Sequence, residues 1–418
     1  MNTKIDKWLD DHRNQIIKDL QGCIHIRSIK STPKPGAPFG EDIRKCLEYT
    51  LDIAKKLGFS AKNMDGYLGC VDYGEGKECL GILTHLDVVP EGGGWNYDPY
   101  GGEVAGNRIY GRGVLDDKGP TISALYALKA IDDCGIPLSR RVRIILGCDE
   151  ENDWGCMKHY QENEPSPDLS FTPDGEYPLV NSEKGIFHGT YECKFASAIT
   201  IEAGEAANVV PGEAVAVIPL DVAIVKPIAE RYAQKSGFGV TVTALDEGTE
   251  IKTIGKPSHA AKPQDGRNAL QAMLILLAAM PLQGMDAKII GILAENFKME
   301  YNGQSIGMNR ADDSGDLTLN MGVIHWNHTG FQLRFDLRCP ISMKEEEIKS
   351  GLSAAMKDTG AVLTDVSFKK GFFLPENSEI VSKLLAVFRT RTGKDLPPHK
   401  IGGGTYARAL PNAVSFGP

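Results

Sequence analysis

The sequence predicts an α/β protein of two domains, a mostly parallel sheet packed by helices and interrupted by an inserted α+β domain. Three observations predict it. At 418 residues the chain is longer than one ordinary hydrophobic core supports. Up to about residue 175, short apolar runs alternate with helical patterns, as in βα units. From about Gly185 to Phe373 the texture changes to long alternating runs with interspersed helices, and a last helix and a glycine-rich tail follow.

Taken in order, MNTKIDKWLDDHRNQIIKDL is charged and helix-like. Glu41 to Leu57 places Ile43, Leu47, Leu51, Ala54 and Leu57 at helical spacing and stops at Gly58. CLGILT before His85, VRIILGC before Asp149 and LSFT before Asp174 read as strands. Between the first two, GPTISALYALKAIDDCG carries Pro120 in its first turn, apolar Ile122, Leu125, Leu128 and Ile131, and Gly135 as a stop. In the inserted stretch, GIFHGTYEC, FGVTVTAL, DLTLNMGVIHW, GFQLRFDLR and AVLTDVSF read as strands; PLDVAIVKPIAERYAQ, NALQAMLILLAAM and MKEEEIKSGLSAAMKDTG read as helices. The helix EIVSKLLAVFRTRTG and the segment IGGGTYARAL return to the first domain, so residues 1–184 and 374–418 form one domain and 185–373 the other.

Composition excludes several classes. Hydrophobic content of 42% with 24% charged residues is that of a soluble globular protein. A formal charge of −9 and the absence of a basic stripe argue against nucleic acid and anionic membrane as partners. The charged start carries neither a signal-peptide pattern nor a membrane span, which predicts a cytoplasmic protein. Nine cysteines are scattered singly without a CxxC pair, so reduced, mostly buried thiols are expected and cysteine-bound zinc is not. KEEEIK near residue 344 is a solvated helix face. Trp95, beside a glycine run, is a loop anchor, and IGGGT lacks the GK of a phosphate loop.

The residues that carry chemistry lie just after the apolar runs: His85 and Asp87 in THLDVV, Asp116 and Asp117 in GRGVLDDKG, Glu150 and Glu151 in GCDEEN, and Asp174 in TPDGE. In open α/β sheets the functional crevice lies beyond the carboxyl ends of the strands. Imidazole and carboxylates converging there suit a divalent metal, and a metallohydrolase is the expectation. Asp87, two positions after His85 in an extended segment, points to the same face and is placed to hold the imidazole's tautomer. Asp117, entering a helix, suits a turn or cap; Asp116 is then the better ligand. Three consecutive acids from Asp149 to Glu151 repel one another unless a cation absorbs the charge. Adjacent carboxylates can divide the work, one binding metal and the other taking a proton from water. His259, in GKPSHAAKP, sits among small residues that let a ligand approach.

Together these segments resemble the aminoacylase and dipeptidase family of two-zinc metallopeptidases, most closely the bacterial PepV-like dipeptidases. The resemblance runs through THLDVVPEG, YGRGVLDDKGP, DEENDWG, FTPDGEYPL, ANVVPG, GKPSHAAKP, DLRCP and GGGTYARALPNAVSFGP, essentially the whole chain. It implies a catalytic domain bearing the metals and a ferredoxin-like α+β lid. It also implies that His85 and Asp174 hold one zinc, Glu151 helps hold a second and Asp116 bridges them, with manganese or cobalt as alternatives to zinc. Asp87 would orient His85 and Glu150 would be the general base. His259 would steady the oxyanion. Asn208 and Arg338, with Gly403 and Thr405 of the glycine-rich segment, would hold the substrate, Arg338 at its free carboxylate. The resemblance further implies a cis peptide between Asp116 and Asp117, and a large lid on a monomer.

One departure stands out. The family supplies a last histidine to the second metal downstream of GGGTYAR, but no histidine follows His399, which precedes the glycine run and does not match that position. The second site then keeps Asp116 and Glu151 alone, and a C-terminally shortened sequence is the expected explanation. The expected function is hydrolysis of dipeptides with free termini. An N-acyl amino-acid deacylase is the nearest alternative, and a non-catalytic peptide- or metal-binding relative is the alternative from another class.

Overall fold

The computed structural model describes residues 3–418. The chain divides into two compact units: unit 1 holds the residues up to Asn181 with 374–399 and 405–418, and unit 2 holds 182–373 with 400–404. The insertion thus begins at 182 where the sequence suggested 185. Part of the glycine-rich tail also belongs to unit 2 rather than to the first domain. The reason is specific pairing: the carbonyl of Ile401 accepts from the Lys184 amide at 3.0 Å, and that of Gly402 accepts from Arg338 Nη1 at 2.9 Å.

The sheet of unit 1 runs Ser60–Met64, Leu68–Tyr73, Arg141–Gly147, Cys79–His85, Leu169–Thr172, Ala413–Ser415, and then Val180. Its three central pairings are parallel. The pairings at its margins are antiparallel, including Ser60–Met64 with Leu68–Tyr73 and that strand with Arg141–Gly147, so the sheet is mixed. A tight hairpin pairs its arms antiparallel, and the polar SAKNM arm has no apolar run to reveal it as a strand. Ile144, Ile145 and Leu146 are fully buried; each such side chain contributes about 1.5–3 kcal/mol over an exposed one.

The helix-like start is a helix from Thr3 to Ile24; Met1 and Asn2 lie outside the described residues. Helix Glu41–Lys56 buries Ile43, Leu47, Leu51 and Ala54 on one face and carries Glu41 and Asp42 in its first turn and Lys55 and Lys56 in its last, complementing its dipole. Gly58 follows at φ +93°, a conformation that favours glycine. Helix Lys118–Asp133 starts where the aspartate pair ends. A Cβ on Gly119 would sit 1.9 Å from the Val114 carbonyl oxygen, so the turn carrying Asp116 and Asp117 requires glycine there. Buried Lys118 donates to the carbonyls of Cys23 and Ile26, at and just beyond the end of the first helix.

Unit 2 is built on an eight-stranded antiparallel sheet in the order Gly239–Leu245, Gly248–Ile254, Glu213–Ile218, Thr200–Ala203, Thr318–Asn327, Gly330–Cys339, Gly185–Lys194, Val362–Lys369. Helices Val222–Ser236, Ala269–Ala278, Gly284–Phe297 and Glu345–Met356 accompany it. One continuous core, including Phe187, Leu270, Met273, Ile289, Trp326 and Phe335, holds them together. The charge run KEEEIK opens the last of these helices, where Glu347 accepts the Lys344 amide and pairs with Arg310.

All nine cysteines are thiols, seven of them buried. No described helix is long and apolar enough to cross a membrane.

Candidate functional site

His85 ends the strand Cys79–His85, opposite Gly147 of the parallel neighbour, and is fully buried. Its Nδ1 lies 3.0 Å from the backbone carbonyl of Asp87. A carbonyl only accepts, so Nδ1 carries the hydrogen and the Nε2 lone pair is left free in the neutral ring. Nε2 is 2.9 Å from Asp116 Oδ1 and 3.7 Å from Asp174 Oδ2, yet it is aligned for a hydrogen bond with neither. A buried, unbonded imidazole nitrogen turned toward two carboxylates is a donor set for a divalent cation. His85, Asp116 and Asp174 form the one group among the described residues with metal-ligand spacing. Glu151 is not within it.

The sequence placed the Asp87 carboxylate at the ring, and the structure places a different atom of that residue there. The carboxylate is 3.6 Å from Nδ1. It accepts instead from the amides of Glu150 at 3.1 Å and Glu151 at 3.0 Å, pinning the turn that follows Arg141–Gly147. Asp117 also differs from a simple cap. It stands at the N-cap position of its helix but makes no capping bond. Its buried Oδ2 accepts the His85 amide at 3.0 Å, and the peptide between Asp116 and Asp117 is cis.

The acidic triplet separates by role. Asp149 is buried, pairs with Lys30 at 2.8 Å and accepts the Gly155 amide at 2.9 Å, which is a structural task. Burial pushes the Glu150 carboxyl up to about 8, with repulsion from Asp174, Glu151 and Asp87 adding to it and His85 opposing it. Burial likewise lifts Glu151 to about 7, and the nearby Asp116 carboxylate reinforces the shift. Burial alone would lower His85, but Asp116, Asp174 and Asp87 outweigh it and hold the ring well above its usual value. Asp116 lies below the usual carboxylate range, chiefly through that contact with His85.

Sequence reasoning missed the residues packed behind it. Fully buried Tyr406 sets its ring edge-on to His85 at 6.1 Å and bonds Cys156 Sγ at 2.6 Å. A Cβ on Gly147 would strike the Tyr406 hydroxyl at 2.3 Å. Ser415 donates to the Asp174 carbonyl and lies 2.9 Å from Thr405 Oγ1, and the Ala407 amide donates to the same Thr405 oxygen. Thr405 was named from the sequence, but no local pattern marks Tyr406 and Cys156, which meet across 250 residues of chain.

The other expected residues lie in unit 2. His259 Nδ1 accepts the Ala261 amide at 3.0 Å, so the neutral ring carries its hydrogen on Nε2 and presents a donor there. Burial lowers its pKa, and Arg338 adds to the effect. Asn208 and His259 are on paired segments: Asn208 O accepts the Ala260 amide, and the Val210 amide donates to Ser258 O. Arg338 is buried and uses Nε and Nη2 on Asp336, at 2.7 and 2.9 Å, and Nη1 on Gly402 O. Three of its five N–H groups are thereby committed.

A buried clamp behind Asn208 was also unforeseen. Asn320 Nδ2 donates to the carbonyls of Ala207 and Val209, each at 2.9 Å, and its oxygen accepts from Asn268 at 3.1 Å. Asn320→Ala leaves both carbonyls without that donor. It is expected to lower stability by about 1–3 kcal/mol in denaturant unfolding, and an unchanged midpoint would contradict the clamp.

A mixed sheet with a buried imidazole and carboxylates gathered where its parallel strands end, plus an inserted α+β unit, defines a metal-dependent hydrolase. The chain belongs to peptidase family M20/M25/M40, whose signature matches residues 81–418; it is a metallopeptidase. It is 34% identical over 428 residues to the Bacillus subtilis protein "Putative dipeptidase YtjP", covering 97% of this chain and 90% of that one. A Staphylococcus epidermidis protein named "Putative dipeptidase" is 35% identical over 425 residues, with 97% and 90% covered. Among solved structures, human carnosine dipeptidase 1 superposes with a TM-score of 0.60 at 14% identity, over 99% of this chain and 91% of that one. Aminoacylhistidine dipeptidase from Vibrio alginolyticus does so with 0.56 at 16%, over 96% and 90%. These two share the fold.

Proposed function

We propose that the protein is a dipeptidase acting on dipeptides with free termini. The observation that carries the reading is the His85, Asp116 and Asp174 group with Glu150 beside it, in a chain similar over nearly its whole length to relatives named as dipeptidases. Zinc is the proposed metal, one ion on His85, Asp116 and Asp174 and a second shared by Asp116 and Glu151; manganese or cobalt suits the same donors. When bound, such an ion acts as a Lewis acid on the peptide carbonyl and acidifies water.

Glu150 is the proposed general base. Its carboxylate takes the proton of the attacking water and returns it to the leaving amine, a task suited to a carboxyl poised near neutral pH. Asp87 keeps Glu150 and Glu151 in place through their amides. From unit 2, His259 donates Nε2–H to the developing oxyanion, and Asn208 and Arg338 hold the substrate, Arg338 by its free carboxylate. Gly403 and Thr405 are proposed to flank the substrate, Thr405 with its oxygen already engaged by Ser415 and Ala407. Large unit 2 is consistent with a monomer, and the reading is of a cytoplasmic enzyme.

The test compares cleavage of alanyl-alanine with that of N-succinyl-alanine by the zinc-loaded protein. Cleavage of the free-amino peptide alone is expected. Preference for the N-succinyl compound would replace the reading with that of a deacylase. In the same assay Arg338→Lys is expected to raise KM about tenfold, because an ammonium cannot present the planar fork that meets a carboxylate with two bonds.

A further inference from the structure

Two thiols of unit 1 touch. Cys23, near the end of helix Thr3–Ile24, and Cys46, in the middle of helix Glu41–Lys56, are fully buried, and their sulfurs lie 3.5 Å apart in hydrogen-bond geometry. The hydrogen bond from Cys23 lowers the pKa of the Cys46 thiol against the effect of burial, and the nearby Lys118 cation adds to it, which favours the nucleophilic thiolate. Burial shields the pair from reagents, but the cover is slight. Among the described residues of the first helix only Leu20, Cys23 and Ile24 are buried, so few apolar contacts break when its end opens.

The segment from Cys23 to Ser28 supports two of the three residues with metal-ligand spacing. Lys118, two residues after Asp116, donates to the carbonyls of Cys23 at 3.1 Å and Ile26 at 2.7 Å. Ser28 Oγ donates to the carbonyl of Leu86 at 2.6 Å, and the Val88 amide donates to Ser28 O at 3.0 Å, so the stretch that follows His85 is tied to the same segment. A disulfide needs its sulfurs about 2 Å apart. Cys46 sits in mid-helix beside buried Ile43, Leu47 and Thr50, so closing the gap moves the helix end that carries Cys23, and Lys118 and Leu86 with it. Metal-ligand distances hold to within about 0.2 Å. We infer that Cys23 and Cys46 are a redox-responsive pair whose closure to an intrachain disulfide by peroxide displaces His85 and Asp116 and weakens metal binding. The consequence for the metal rests on the proposed zinc reading; the crosslink and the displacement do not. In the oxidation, the Cys46 thiolate attacks one oxygen of hydrogen peroxide and expels hydroxide, leaving a sulfenic acid. The Cys23 thiol then displaces water from that sulfur and forms the S–S bond. The two sulfurs give up two electrons, and peroxide, taking them with the two thiol protons, ends as two waters.

The experiment treats the full chain, reduced and then freed of reductant, with dilute hydrogen peroxide. Peptide mapping by mass spectrometry is expected to find a Cys23–Cys46 crosslink that dithiothreitol reverses, a reversal that needs no variant, and Cys46→Ala is expected to lose it. Zinc affinity, read by competition with a chromogenic chelator, is expected to fall about tenfold or more on oxidation and to stay unchanged in oxidised Cys46→Ala. Hydrogen exchange at the Val88 amide is expected to quicken on oxidation, which reads the displacement with no metal present. Absence of the crosslink, or crosslinks between other cysteines only, overturns the inference. A crosslink that leaves zinc affinity unchanged overturns it too. If the reduced chain binds no zinc, the zinc reading falls, and the Val88 amide decides the pair: reversible quickening supports it, and an unchanged rate overturns it.

Discussion

Glu150→Gln is expected to keep metal content near normal while hydrolysis falls by about 10²–10⁴-fold, the usual contribution of a positioned general base. Glutamine preserves the volume of the side chain and leaves its amide bond to Asp87 untouched. It removes the carboxylate that accepts a proton. Glu150 is also not one of the three residues with ligand spacing, which is why metal content and turnover are expected to separate. Elemental analysis of the purified variant beside its rate on alanyl-alanine checks both halves. Unchanged turnover would remove Glu150 from its role, and a parallel loss of metal would make it a ligand instead.

Stripping the metal is expected to abolish hydrolysis and to leave a protein whose stability falls as pH rises. In the stripped protein Glu150 titrates near 8 and Glu151 near 7, both above the ordinary 4.5. The folded state then binds more protons than the unfolded one between about pH 4.5 and 8, so stability falls as pH rises through that window. His85, raised above 6.5, acts in the same sense: its contribution is present below that value and is lost as pH rises through the folded one. Asp116, lowered from 3.8, loses its contribution only in acid below this range. The stripped protein should therefore melt at a lower temperature at pH 8 than at pH 6. Adding zinc should raise Tm more at pH 8 and release protons, which an unbuffered titration reads directly. A stripped protein more stable at pH 8 would refute this account of the cluster. His85→Ala should lose both the zinc-induced rise in Tm and the activity.

Much of the fold was legible because its signals are local. LSFT is a strand over the same four residues in which it was read, and Ile43, Leu47, Leu51 and Ala54 form the buried face of their helix. The short strand Ser60–Met64 was not legible: SAKNM has no apolar alternation and is held by its pairing with Leu68–Tyr73. In the candidate site, His85, Asp116 and Asp174 could be picked out because each follows an apolar run, and strands deliver their carboxyl ends to one edge. Residue chemistry alone did not separate Asp149 from Glu150 and Glu151, for which the family resemblance supplied the roles, since Lys30, which claims Asp149, lies far earlier in the chain.

The sequence by itself marked most of the elements, the change of texture at the inserted stretch, and His85, Asp116 and Asp174 as groups with metal-binding chemistry. These follow from periodicity, from run length and from side-chain chemistry, which need no partner to be specified. Only the tertiary structure decided how those residues are used. It put the Asp87 carbonyl rather than its carboxylate on the imidazole, turned Asp117 from a cap into a support for His85, and drew residues 400–404 into unit 2. It also placed Tyr406 behind His85 and Asn320 behind Asn208. A buried polar group must find a partner wherever the fold supplies one, and that partner's distance along the chain carries no local signal.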